Sequence, residues 1–217
     1  MKLLLAFKIN LKPLDTNSIK EIIYVINNRQ FVDHFGNYHD NGWKSLGLIS
    51  SGGNPYDDRS SLENDYKKTE ILKSMPFLED FLNYIDCKKK RVRLMKLEKK
   101  SKIFTHFDRS ETYDFGSLRI HIPIITNNDV ITKISKHEYH WKVNEVWYAD
   151  FSFPHQVENN SDNDRYHLVI DCHNNKFTDS LMPKAYLKQK KIRAIFRFFY
   201  QNLFRICRTL KINYPFA

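Results

Sequence analysis

The chain of 217 residues is 41% hydrophobic and 14% aromatic, which excludes a disordered protein and suffices for one well-buried core. Three scattered cysteines, Cys87, Cys172 and Cys207, exclude a disulfide scaffold and a CxxC metal knuckle, and set the expectation of a cytoplasmic protein. The net charge is +10, but nine Lys and Arg lie between Ser180 and Ala217 with no acidic residue. The rest of the chain therefore carries only about +1, and a protein-wide nucleic-acid footprint is excluded.

No run approaches the roughly 18 to 20 apolar residues that a membrane span needs. At the start, Leu3, Leu5, Phe7, Ile9 and Leu11 alternate with Leu4, Ala6, Lys8, Asn10 and Lys12. That period of two fits a half-buried strand better than a signal peptide. Asp15 to Ser18 offers helix-start chemistry, with Ser18 and Glu21 at capping-box spacing. Ile19, Ile22, Ile23 and Ile26 carry the helix to about Asn28. Residues 31–62 are aromatic, Gly-rich and turn-rich, and read as a long irregular stretch of the kind that carries function. His34 and His39 within it are expected at the surface, with contact to a substrate as the alternative. A second helix is expected after Pro76, with Phe77, Leu78, Phe81, Leu82 and Ile85 on it.

From Arg91 the pattern becomes alternating. Val92, Leu94 and Lys96 share one face, and Arg93, Met95 and Leu97 the other. Similar runs at 102–107, 117–126, 142–151 and 166–172 predict a mainly β protein with flanking helices: a sandwich, jelly roll or barrel. His137 and His140 are expected in a surface loop. Residues 184–211 predict a helix whose stripe of Ile192, Ile195, Phe196, Phe199, Leu203, Ile206 and Leu210 opposes Arg193, Arg197, Gln201, Arg205 and Arg208. The expected organisation is a β domain over residues 1–180 and a basic amphipathic helical extension over 181–217. That extension packs by its stripe with a solvated basic face, docks on an acidic protein, or touches a membrane surface peripherally.

The strongest chemical signal is His106-Phe107-Asp108, followed at a distance by His155. Positions i and i+2 of a strand point the same way, so His106 and Asp108 present an imidazole and a carboxylate together. With His155 they compose a two-histidine, one-carboxylate face, which leaves metal positions open and suits a non-haem Fe(II) centre that activates oxygen. Taken without company, such histidines usually serve in packing or at the surface. Arg165 bears on the choice. Aimed into a barrel it must find an anion, such as the far carboxylate of a metal-bound co-substrate. Otherwise it pairs with Asp162, Asp164 or Asp171 at the surface.

Five blocks in order resemble the aspartyl/asparaginyl β-hydroxylase family: Arg91 to Leu97, His106 to Asp108, Leu118 to Ile124, His155 to Asn159 and Arg165 to Asp171. The resemblance implies a double-stranded β-helix (jelly-roll, cupin-like) and a dioxygenase dependent on Fe(II), 2-oxoglutarate and O2. The implied reaction is hydroxylation of an unactivated C–H of an amino acid, free or within a peptide. It implies His106, Asp108 and His155 as iron ligands and Arg165 as the partner of the distal carboxylate of 2-oxoglutarate. It further implies Arg119 and His121 as contacts to the keto-acid end or the substrate, with Trp43 and Ser45 bordering the substrate pocket. Asp108 resembles the bacterial branch that includes proline hydroxylases, not the animal protein hydroxylases, which use two histidines alone. The competing class is a non-catalytic jelly roll that binds a small acid or docks a partner through the basic helix.

Overall fold

The computed structural model describes residues 3–57, 59, 65–108 and 111–215. In chain order its elements are β1 (Ala6–Lys8), α1 (Thr16–Asn28), β2 (Val32–Asp33), β3 (Trp43–Ser51), β4 (Tyr66–Lys68), α2 (Glu70–Lys73) and α3 (Pro76–Tyr84). There follow β5 (Lys89–Leu97), β6 (Lys102–His106), β7 (Ser117–Ile125), β8 (Val130–Ile134), β9 (His137–Tyr139), β10 (Trp147–Ala149), β11 (His155–Asn159) and β12 (Arg165–His173). The chain closes with α4 (Lys176–Ser180), α5 (Lys184–Lys188) and α6 (Lys190–Leu210).

The strands form two antiparallel sheets. The larger runs β1-β10-β7-β12-β5-β3-β2, with β4 also paired to β3; the smaller runs β6-β11-β8-β9. Alternation gives the large sheet two unlike faces. Leu46 and Leu48 of β3, Val92 and Leu94 of β5, Leu118, Ile120 and Ile122 of β7, and Leu168 and Ile170 of β12 point to one side. There they meet Ile22 and Val25 of α1, Ile71 and Leu72 of α2, and Leu78, Phe81 and Leu82 of α3, forming the main hydrophobic core. The other face carries Arg91, Arg93, Met95, Arg119, His121, Arg165, His167 and Asp171, and looks across at the small sheet. Two facing antiparallel sheets of this kind make a jelly roll, one of the three architectures that the alternating runs leave open and the one that the resemblance implies.

Several local expectations change. Residues 43–51 are not irregular: β3 is a central strand, paired with β5 from Trp43 opposite Leu97 to Ile49 opposite Val92. Its glycine obscured the pattern. Gly47 sits there because an added Cβ would come within 3.2 Å of the Pro55 carbonyl oxygen, to which the Gly47 N–H donates at 2.7 Å. Asp15, not Ser18, caps α1, accepting from the Ser18 N–H at 2.8 Å. Glu21 instead accepts the Phe77 and Leu78 N–H groups at 3.2 and 2.9 Å, capping α3 from a neighbouring helix. The run at 142–151 contracts to the three residues of β10, and His137 belongs to β9, not to a loop. His34 is buried, not on the surface.

The largest departure is the orientation of α6. Its Arg193 and Arg197 point inward, only 0% and 5% exposed, while Ile195, Phe199, Ile206 and Leu210 of the apolar stripe face out. The cause is a pair of buried carboxylates. Asp114 binds Arg193 at 2.6 Å and Arg197 at 2.7 Å, and Asp150 binds Arg197 at 3.0 Å. Buried acids must be paired, so they select the guanidiniums over the stripe. Tyr200 and Cys207 fill the rest of the inward face, against Phe151 and Phe153.

Two substitutions test this docking. Asp114→Ala leaves Arg193 short of its anion and is expected to cost about 3 kcal/mol of stability by urea unfolding. Ile195→Ala, by contrast, is expected to change stability by less than about 0.5 kcal/mol.

Candidate metal centre

Strand pairing brings the key residues together. His106 ends β6, His155 begins β11, and the two lie directly opposite each other in the antiparallel register. Their ring centroids are 4.2 Å apart. Asp108 follows two residues later, its position fixed by its N–H donating to the Phe151 carbonyl at 2.8 Å. Among the described residues this trio is the one group of three or more His, Cys, Asp or Glu arranged to hold a metal ion. One donor atom from each lies within 4.8 Å of the others. His137 and His140 take no part in it.

The rings are oriented by the backbone. The Nδ1 of His106 lies 2.8 Å from the Phe104 carbonyl oxygen, and the Nδ1 of His155 lies 3.0 Å from that of Phe153. A carbonyl only accepts, so each Nδ1 carries the proton and each Nε2 keeps its lone pair free for a metal. Burial holds both imidazoles neutral: that of His106 below its ordinary range, that of His155 down to about 3. Burial pushes the Asp108 carboxyl up, but the Arg119 guanidinium, with His155 and His106 adding to it, outweighs burial and holds the group at about 2. Asp108 is thus an anion beside two neutral donors.

Arg119 is itself held. Its guanidinium donates to Oδ2 of Asp108 and, through Nε at 2.6 Å and a terminal nitrogen at 3.1 Å, to both oxygens of Asp171. Asp171 is fully buried and also receives Arg93 at 3.0 Å and Arg91 at 3.2 Å. Burial opposes its charge, yet three guanidiniums hold it well below the carboxylate range. Arg91 additionally reaches Glu111 at 3.4 Å. Since Oδ2 of Asp108 faces Arg119, its Oδ1 is the oxygen left toward the histidines, 3.8 Å from Nε2 of His106.

A cavity of about 420 Å³ opens over this centre, lined by His106, Asp108, His155, Arg119, His121 and Arg165 among others. Arg165 is 4% exposed, and its Nε has no hydrogen-bond partner. No carboxylate among the described residues pairs with it, and burial alone pulls it down to about 9. The acids nearest in sequence are engaged elsewhere: Asp162 with Lys100 at 3.0 Å and Asp164 with Lys96 at 2.8 Å. His167 is buried and His121 half-buried, but the ring nitrogens of both are buried with no hydrogen bond, and burial holds both well below the imidazole range.

The remaining sequence candidates divide. Trp43 lines the cavity, between His34 at a ring separation of 3.7 Å and Tyr38 at 5.8 Å, with an unpaired buried indole N–H. Ser45 is fully buried on the same strand face but does not reach the wall. Sequence reasoning missed Tyr38, which stacks on His106 at 3.8 Å, and the Arg91, Arg93 and Asp171 cluster. The cluster had a signal: Arg91 and Arg93 alternate with Val92, and Asp171 interrupts an apolar run.

With this geometry in place, the chain matches the profile of the aspartyl/asparaginyl beta-hydroxylases over residues 19–175. It belongs to that family. Among curated relatives, the L-proline cis-4-hydroxylase of Rhizobium meliloti (strain 1021) is 28% identical over 116 residues, or 52% of this chain. The chain spans only about two fifths (41%) of that relative's length. Among solved structures, an oxidoreductase of the 2OG-Fe(II) oxygenase family from Burkholderia pseudomallei aligns at TM-score 0.50 and 13% identity. The alignment covers 74% of this chain and 81% of that one, which shows a shared fold.

The buried neutral histidines make stability depend on pH. His106, His121, His155 and His167 sit below the ordinary value of 6.5, so the unfolded chain binds more protons below about that pH. Stability is therefore full above pH 6.5 and is lost as pH falls. Each histidine contributes at most about 1.4 kcal/mol per pH unit to that slope. Urea midpoints of the metal-free protein at pH 7, 6 and 5 are expected to fall steeply, and less steeply in His167→Asn.

Proposed function

We propose that this protein is an Fe(II)- and 2-oxoglutarate-dependent dioxygenase that hydroxylates an unactivated C–H of an amino acid, free or within a peptide. The observation that carries this reading is Arg165, a buried guanidinium without an anion in the same cavity as a His-Asp-His face. A metal centre alone needs no such group, whereas a bound diacid does.

The donor set fits the ion. Two neutral imidazoles and one carboxylate oxygen on a single face match the facial arrangement of Fe(II) oxygenases, and His106, Asp108 and His155 would hold it. O2 is the oxidant, and the ion, when bound, would supply the site that activates it: 2-oxoglutarate, O2 and R–H become succinate, CO2 and R–OH. The protein's own part is positional. Arg165 would grip the distal carboxylate by parallel hydrogen bonds. Arg119 keeps Asp108 ionised and turned toward the histidines. His121, neutral beside Arg165, leaves the guanidinium charge for the diacid. Trp43, Tyr38, Trp141 and Phe151 form an apolar wall that keeps water from the reacting bond.

Charge favours a substrate with its own carboxylate. Arg91, Arg93, Arg119 and Arg165 face Asp108, Glu111 and Asp171, one formal positive charge in excess. A dication brings two more and 2-oxoglutarate removes two, so the loaded site keeps its excess cation for a carboxylate. The sequence similarity to a proline hydroxylase supports an amino acid as the bearer.

Succinate release across free amino acids and short Asp- or Asn-containing peptides, with mass spectrometry for the added oxygen, tests the reaction. Asp108→Ala is expected to abolish coupled succinate formation, and unchanged turnover would remove it from the ligand set. Arg165→Ala is expected to raise the KM for 2-oxoglutarate at least thirtyfold, from loss of a buried charge-assisted pair worth about 2 kcal/mol or more. A small change in that KM would place the diacid elsewhere.

A further inference from the structure

The outward face of α6 is apolar where a packed helix would be polar. Ile195 is 67% exposed, Phe198 72%, Phe199 56%, Ile206 53% and Leu210 62%, with Ile212 beyond the helix at 57%. They recur at helical spacing over more than four turns, so they form a continuous stripe and not scattered surface residues. Its existence follows from the docking already described: Asp114 and Asp150 draw Arg193 and Arg197 inward, and the stripe is left outside.

The stripe has a charged border of one sign. With Arg193 and Arg197 buried, Lys184, Lys188, Lys190, Lys191, Arg205, Arg208 and Lys211 remain, and all of them are exposed. Lys190, Lys191, Arg205 and Arg208 lie along one flank of α6, and no acidic residue occurs from Ser180 onward. That border argues against a second copy as the occupant. Two stripes placed face to face would bring two sets of cations together with no carboxylate in the segment to pair them. α6 contributes only Phe196 and Tyr200 to the cavity beside it, so the exposed residues named above lie outside that cavity. The helix is not long and apolar enough to cross a membrane.

We propose that α6 is a membrane-surface anchor whose apolar stripe enters the headgroup boundary of an anionic lipid bilayer while its basic flank meets the lipid phosphates. An amphipathic helix of 21 residues, low in mean hydropathy and rich in Phe, Ile, Lys and Arg, lies in the plane of the interface. Anionic lipid supplies the negative charge that the segment lacks. The helix is already folded and fixed to the body by two buried arginines, so binding carries little ordering cost. The cavity over the metal centre belongs to the rest of the protein, so this inference stands apart from the proposed reaction.

Vesicle co-sedimentation of the full chain tests it, with phosphatidylcholine vesicles containing 30% phosphatidylserine set against pure phosphatidylcholine. Binding is expected to the anionic vesicles and to weaken at least tenfold on pure phosphatidylcholine or in high salt. Phe198→Ser with Phe199→Ser is expected to weaken it at least tenfold, with the circular dichroism and melting of the parent since both side chains are exposed. Lys191→Glu with Arg208→Glu is expected to do the same through charge alone. No binding to anionic vesicles, or equal binding by both variants, overturns the proposal. So does a dimer in sedimentation velocity that Phe198→Ser with Phe199→Ser disperses, which would make the stripe a contact between copies. Saturable binding of an acidic protein with no affinity for the vesicles would likewise overturn it.

Discussion

One buried carboxylate organises the cavity. Asp171, without exposed surface, is surrounded by Arg91, Arg93 and Arg119, and neither it nor they could be buried without the others. The network passes its order outward: Asp171 fixes Arg119, Arg119 fixes one oxygen of Asp108, and the other oxygen is thereby aimed at the histidines. Cross-strand pairing supplies the rest, since His106 and His155 are opposite residues of neighbouring strands and their Nδ1 protons are taken by their own backbone. The centre is thus set by hydrogen bonds made before any ion arrives, which is what preorganisation requires. Arg165 is the exception. It alone of these guanidiniums has no carboxylate, and it is the group whose charge a bound diacid would complete.

The sheet was legible because period-two alternation is a property of local sequence. Val92 and Leu94 against Arg93 and Met95, or Leu118 and Ile120 against Arg119 and His121, sort themselves onto two faces without any tertiary knowledge. The trio of His106, Asp108 and His155 was legible as a pattern, and the five ordered blocks pointed to the family. What failed was whatever depends on contacts distant in sequence. β3 was hidden by Gly47, whose missing side chain answers to Pro55. His34 was assigned to the surface because nothing near it in sequence shows that Trp43 covers it. Arg119 read as a free contact to small molecules, and its commitment to Asp108 and Asp171 appears only when three strands are side by side.

The C-terminal helix shows the limit of binary patterning. Its apolar stripe was strong and its arginines obvious, so the default places the stripe inside. Asp114 and Asp150 reverse that, because an unpaired buried acid costs more than an exposed leucine or phenylalanine gains by burial. The same physics operates twice in this molecule, in the cavity and beneath α6. In both places the acids decide which arginines turn inward. Composition counts nine cations on the tail without distinguishing them, and two of them, Arg193 and Arg197, are buried.

The central claim is that one face of two histidines and a carboxylate shares a cavity with a guanidinium reserved for a diacid. Anaerobic optical titration with Fe(II) and then 2-oxoglutarate addresses it directly, through the visible charge-transfer band of an iron-chelated keto acid. The account predicts a band that requires both additions and is lost in His155→Ala. A band that persists unchanged in that variant, or none in the unaltered protein, would contradict it.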